Sequence, residues 1–347
     1  MKGRSARLIA YSAAHFFVDF ACALLLLGLD RRAGPAVFLA YNYCAFALQM
    51  PFGILADRLD KNAGLAALGC ALVAAAFALP AAPLALALVA GVGNALFHVG
   101  GGVDVLCDSG GRVSPLGIFV SPGALGLFAG AALAGSFPPA GAVLLLLACA
   151  GTILWVAHLF GRLRRSGNAG LCLRGTARPA VFLAAGCLLA VIALRSHVGF
   201  AASLPWKAQA GGALAAALAV VLGKCAGGFA ADRLGARLAG PASLLAAGAL
   251  FLFGGNPVCG VAALFLFNMT MPMTLGALSR LLPGAKGFAF GLTTFALFVG
   301  FLPTGLGLAS AAPAWGIAGL CAASAALLLP GLPPATARAR EVQVRVR

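Results

Sequence analysis

The sequence predicts an all-α integral membrane protein, with twelve transmembrane helices arranged as two pseudo-symmetric bundles of six. Three observations predict it. Hydrophobic residues make up 62% of the chain and charged residues only 9%, with a mean hydropathy of +1.02, whereas about a quarter of the residues in soluble domains are charged. Apolar runs near the ~20 residues needed to cross a bilayer recur along the whole chain. Finally, the string G-x-x-x-D-R-L occurs twice, at Gly53–Leu59 and Gly228–Leu234, with Asp57 and Asp232 separated by 175 residues in a chain of 347. An internal repeat at half the chain length, in so apolar a protein, marks a transporter built from two related bundles.

The spans are delimited by Pro, Gly or charge. In the first half they run 8–29, up to Asp30-Arg31-Arg32; 36–56, from Pro35 to Asp57; 64–80, from Gly64 to Pro80; 84–106, opened by Pro83; 115–135, from Pro115 to Gly135; and 139–160, from Pro139 to Gly161. In the second half they run 179–203, opened by Pro179; 209–231, closed by Asp232; 240–254, from Gly240 to Gly254; 257–281, opened by Pro257; 286–309; and 313–331, from Pro313 to Gly331. The predicted domains are a bundle over 1–160, a five-arginine linker over 161–178, a bundle over 179–331 and a basic tail over 332–347. The first run is too long for a signal-peptide core and lacks a clear small-x-small cleavage site, so it reads as a retained helix.

Cations set the orientation. With the N-terminus inside, nineteen Lys and Arg fall in the cytoplasmic connections and termini, against Arg31, Arg32 and Lys207 on the other side. Both termini and the central linker are therefore expected in the cytoplasm. The net charge of +16 is spread over short connections instead of forming an aromatic-lined basic face, so it argues for topology and lipid contact and against nucleic acid. The ten cysteines stand singly with no metal-type spacing, which predicts packing roles and no metal site.

A charge at mid-bilayer costs at least about 2.5–3.5 kcal/mol, which makes intramembrane ionisable groups functional candidates. His15 and Asp19, spaced i and i+4, share one face of the first span and are the predicted proton-coupling pair; the competing reading is a buried pair that locks helix packing. Tyr41 and Asn42 in the second span, Asn94 and His98 in the fourth, Arg195 in the seventh and Asn268 in the tenth are the predicted substrate contacts. Asn94 and Asn268 are 174 residues apart, hence at matching depth in the two halves. Arg195 is the predicted anchor for an anionic group, because guanidinium stays charged and offers a bidentate fork. Lys224 has two open readings, functional or snorkelling to the cytoplasmic interface. Asp104 is expected as an interfacial anchor.

The two charged turns resemble the loop signature of the major facilitator superfamily, G-x-L-a-D-r-x-G-r-k, which joins the second and third helices of each half on the cytoplasmic side. The second copy keeps the inner glycine at Gly235; the first has Asp60 there and Asn62 where a cation is usual. The resemblance implies an alternating-access carrier with a cavity lined by the first, fourth, seventh and tenth spans, and gating roles for Gly53, Asp57, Arg58, Gly228, Asp232 and Arg233. Gly117–Gly126, containing Pro122, resembles the Gly-Pro motif of the superfamily's antiporters, with Ser121 where Gly is usual; such a helix bends readily. His15-Phe16-Phe17-Val18-Asp19, Gln49-Met50-Pro51-Phe52-Gly53 and Gly93-Asn94-Ala95-Leu96-Phe97-His98 resemble the fosmidomycin-resistance branch, although Met50 intervenes before Pro51 and Val99 replaces the branch's proline.

The expected function is proton-coupled export of a small anionic or zwitterionic molecule or drug across the cell membrane, with uptake of an organic anion by symport as the alternative. The expected partners are the substrate, protons and the lipid bilayer, with a monomeric protein and no cofactor. The sequence has no P-loop for ATP drive and no G-x-S-x-G or H-E-x-x-H element, so an enzyme is not expected. No TVGYG filter argues for a channel.

Overall fold

A computed structural model describes residues 2–29, 34–163, 171–173, 178–309 and 311–332. Arg31, Arg32, most of the predicted linker and the predicted tail beyond residue 332 lie outside the described residues. Twelve helical spans follow in order. The first six are α1 Lys2–Leu27, α2 Pro35–Leu59, α3 Asn62–Ala76, α4 Pro83–Asp108, α5 Ser114–Ala132 and α6 Pro139–Leu159. The second six are α7 Pro179–Ala201, α8 Gly212–Leu234, α9 Ala236–Phe251, α10 Pro257–Leu281, α11 Lys286–Gly305 and α12 Ala314–Gly331.

Each helix starts where the sequence permits it. Proline stands in the first turn of α2, α4, α5, α6, α7 and α10, where its missing N–H has no intrahelical partner to lose. Ten spans are long and apolar enough to cross a membrane. The other two, α3 and α9, have 15 and 16 residues, which at 1.5 Å per residue falls short of the ~30 Å hydrocarbon core. Both follow directly on the repeated charged turn, so the shortening is itself part of the repeat. The expected spans hold within a few residues, with corrections at the ends. α1 begins at Lys2 instead of residue 8. α3 ends at Ala76 because Ala78 and Leu79 close 3₁₀-type turns ahead of Pro80. α8 begins at Gly212 because Gly211 adopts φ +75°.

The departure at Asp60 has a backbone cause. Asp60 caps α2 at φ 51°, ψ 38°, in the left-handed region, and its counterpart Gly235 sits at φ 84° after α8. The turn demands positive φ, which glycine adopts freely and aspartate tolerates better than most residues.

The buried apolar side chains separate into two main clusters. One is built from α1 to α6 with Leu275 and Phe290 added from the second half; the other is built from α7 to α12 with Val113 added from the first. The few residues that cross over lie at the end of the molecule where the repeated turns sit. Three spans are irregular. α2 widens to a π-helical turn over Tyr43–Ala47, α5 breaks at Ser121 before Pro122, and α10 breaks at Met269 three residues before Pro272.

Candidate substrate and ion site

The site begins with the break in α5. Pro122 has no N–H, and the Ala124 N–H turns to the Ser121 carbonyl at 3.3 Å, so the carbonyls just before the break are released from the helical ladder. Two of them find side-chain donors. His15 Nδ1 donates to the Phe119 carbonyl at 2.7 Å, and Lys224 Nζ donates to the Val120 carbonyl at 3.1 Å. Ser121 Oγ bonds back to the Gly117 carbonyl and receives the Cys225 thiol at 3.1 Å. Lys224 therefore does not reach for the cytoplasmic interface: it crosses from α8 to α5 and ties the two halves together at mid-span.

Around His15 the expected proton pair is extended. His15 Nε2 lies 3.3 Å from Asp19 Oδ2 and 2.9 Å from His98 Nε2, and His98 Nε2 is 3.8 Å from Asp19 Oδ1. Asn94 Nδ2 donates to Asp19 Oδ1 at 3.0 Å, and His98 Nδ1 donates to the Asn94 carbonyl at 2.9 Å. Asp19 and Asn94 are buried, at 9% and 3% exposure. Gly123 completes the pocket: a Cβ there would collide with Asp19 Oδ2 and His15 Nε2, so α5 approaches α1 this closely only with glycine after the proline.

The remaining predicted contacts divide. Asn94 and His98 bond within the Asp19 cluster; Tyr41 is buried. Asn42 and Asn268 instead donate to carbonyls four residues back on their own helices, Phe38 and Leu264, at 2.8 Å each. The matched pair Asn94 and Asn268 is thus split, one in the cluster and one on its own backbone. Arg195 is 6% exposed, and its two terminal nitrogens are buried without a hydrogen-bond partner among the described residues. Arg195 and Lys224 stand on α7 and α8 of the second half, and Asp19 on α1 of the first.

Asp104 corrects an expectation. It is no interfacial anchor but a buried acceptor, 3% exposed, receiving Tyr11 Oη at 2.6 Å and Asn62 Nδ2 at 3.1 Å. One turn on, Asp108 holds Arg7 at 2.6 Å and Arg162 at 3.2 Å, which ties the end of α4 to the start of α1 and the residues after α6. The sequence reading used none of these ties, which join residues 42 to 101 positions apart.

The repeated turns act across the halves. Asp57 accepts from the Gly287 and Phe288 N–H groups at 2.8 and 2.9 Å, capping the start of α11. Asp232 accepts from Val113 and Ser114 N–H at 2.7 and 3.0 Å, at the start of α5. Each carboxylate meets otherwise unpaired N–H groups at the positive end of a helix in the other half. Gly53 lies against the backbone of Gly287, where a Cβ would collide with the Gly287 carbonyl, and Gly228 faces Ser114. Arg58 and Arg233 are exposed. Two open grooves, of about 440 and 520 Å³, flank α1 around Ile9 and Ala13 and reach neither Arg195 nor Asp19.

No protein-family model and no curated protein matches the sequence. Solved structures do. The human organic anion transporter MFSD10 superposes with a TM-score of 0.69 at 17% identity, covering 93% of this chain and 99% of that one. The E. coli fucose:proton symporter superposes with a TM-score of 0.61 at 15% identity, covering 93% and 97%. A second structure of that fucose transporter, in the outward conformation, gives 0.59 at 14% identity, covering 93% and 96%. With twelve helices in the same arrangement over nearly all of the chain, this multi-pass membrane protein has the major facilitator fold.

Proposed function

We propose that the chain is a secondary transporter of the major facilitator superfamily, working by alternating access. In this reading the bundles 1–160 and 179–331 rock about a site between them, joined by the linker 161–178. The protein works as a monomer in the cell membrane with both termini in the cytoplasm, where the Asp57 and Asp232 latches hold that side shut. The transported molecule is a small organic anion or zwitterion, and Asp19 with His15 carries the coupling proton. Arg195 carries the substrate assignment. A guanidinium buried without a partner is costly, and an anion bridging the halves toward Lys224 supplies what it lacks; a carboxylate or phosphonate suits its fork. His98, Asn94 and Tyr41 shape the opposite wall, while Asn42 and Asn268 offer amides once released from their own backbones.

Export in exchange for protons is favoured by the proline break in α5 and by the first-third resemblance to the fosmidomycin-resistance branch. Proton-coupled uptake of an organic anion draws support from the likeness to a fucose:proton symporter and an organic anion transporter.

The test is melting temperature in detergent across anionic, cationic and neutral metabolites and drugs, for the parent and Arg195→Met, since a ligand that binds only the folded state raises apparent stability. Shifts confined to anions and absent in Arg195→Met are expected, with the ligand-free variant melting no lower than the parent, because an apolar isostere removes an unpaired buried charge. Shifts with lipophilic cations that survive the substitution would refute the anion reading.

A further inference from the structure

We infer that His15 and His98 share a single proton between their Nε2 atoms, as one imidazolium–imidazole pair neutralised by Asp19. The inference follows from counting donors. The Phe119 carbonyl can only accept, so His15 Nδ1, 2.7 Å away, bears a hydrogen. The Asn94 carbonyl can only accept, so His98 Nδ1, 2.9 Å away, bears one too. In two neutral rings both Nε2 atoms would then be bare lone pairs. They face each other at 2.9 Å, a hydrogen-bond distance that two acceptors do not share. One hydrogen must stand between them, and the pair holds one proton more than two neutral imidazoles.

The surroundings suit that charge. Asp19 Oδ2 lies 3.3 Å from His15 Nε2, and its Oδ1 is fixed by Asn94 at 3.0 Å. The rings of Phe97 and Phe119, with centroids 6.0 and 5.0 Å from that of His15, cover the pair. Every charged or titratable group facing it has a place in this arrangement. Asp19 stands on the same helix as His15, Cys22 and Tyr41 lie beyond Asn94, and Lys224 comes from α8 with its ammonium drawn to the Val120 carbonyl, Arg195 lying behind it. The proton arrives from solvent at one Nε2 and leaves from it; no other bond is made or broken. When it leaves, two lone pairs are opposed at 2.9 Å, so the unloaded rings must part. His98 is thereby a member of the ion site as well as of the wall opposite Arg195, and as the coupling proton this shared hydrogen rests on the transport reading above.

The test reads the proton directly. The chain has four histidines, so ¹⁵N-histidine labelling of His158→Ala/His197→Ala in lipid leaves only the pair. At pH 7 the spectrum should show both Nδ1 atoms protonated, one hydrogen shared by the two Nε2 atoms with ¹⁵N–¹⁵N coupling across it, and the loss of that shared signal in Asp19→Asn. Two neutral rings, each with one bare nitrogen and no coupling, would overturn the inference. So would a signal that changes on treatment with EDTA, which would place a metal ion between the rings. Either result leaves the anion-induced melting shifts of the parent untouched, so failure of the pair and failure of the transport reading are separate outcomes.

Discussion

Asp57→Ala should open the end of the molecule where the repeated turns sit. The substitution removes two hydrogen bonds from a carboxylate to the Gly287 and Phe288 N–H groups together with a favourable charge at the start of α11. Hydrogen bonds to a charged group are worth about 1.5–3 kcal/mol each. Water replaces part of that once the end opens, so about 2–3 kcal/mol remains as the bias toward the closed form. Since 1.4 kcal/mol is about a factor of ten, the closed-to-open ratio should fall about 30- to 150-fold. The assay is pulsed electron resonance between spin labels at Leu59, which is 46% exposed, and Pro283, which is also exposed. A second, longer distance should grow in Asp57→Ala and less so in Asp57→Asn, which keeps one acceptor oxygen. An unchanged distance distribution in Asp57→Ala, from a protein that still folds, would refute the latch.

Two further substitutions probe the interior. Gly123→Ala places a methyl where Asp19 Oδ2 and His15 Nε2 stand, so it should remove gradient-driven transport in vesicles while the variant still reaches the membrane; full activity would show that α5 has room to shift. Asp104→Asn leaves one oxygen for the Tyr11 and Asn62 donors that now take one each, and should lower stability by about 1–3 kcal/mol, read as a fall in melting temperature.

Much of the fold was legible because a membrane span needs length and apolarity, and both are written in consecutive residues. The repeated turns were legible for a related reason: glycine and aspartate four residues apart at a helix end are a local signal that recurs at half the chain, whereas their partners in the other half, Gly287 and Ser114 among them, carry no mark in the sequence. The interior polar contacts were not legible. Sequence places His15, His98 and Lys224 each within an apolar span, but which faces meet depends on the rotation of each helix about its axis, and apolar residues all round these helices leave that rotation unmarked. Lys224 shows the limit most clearly. Eight residues before Asp232, its charge invited a reading of retreat to the interface, and only the carbonyl released at Val120, through a proline in another helix, gives it a partner within the span.

That same proline break has a mechanical meaning. The carbonyls of Phe119 and Val120 belong to successive peptide groups, one held by His15 of the first half and the next by Lys224 of the second. Successive peptide planes share a Cα and cannot be turned independently by much without leaving the allowed backbone regions. A swing of α5 that breaks the grip of one half therefore strains the grip of the other, and a change in the charge of His15 is felt, three bonds of backbone away, as a change in where the second half is held.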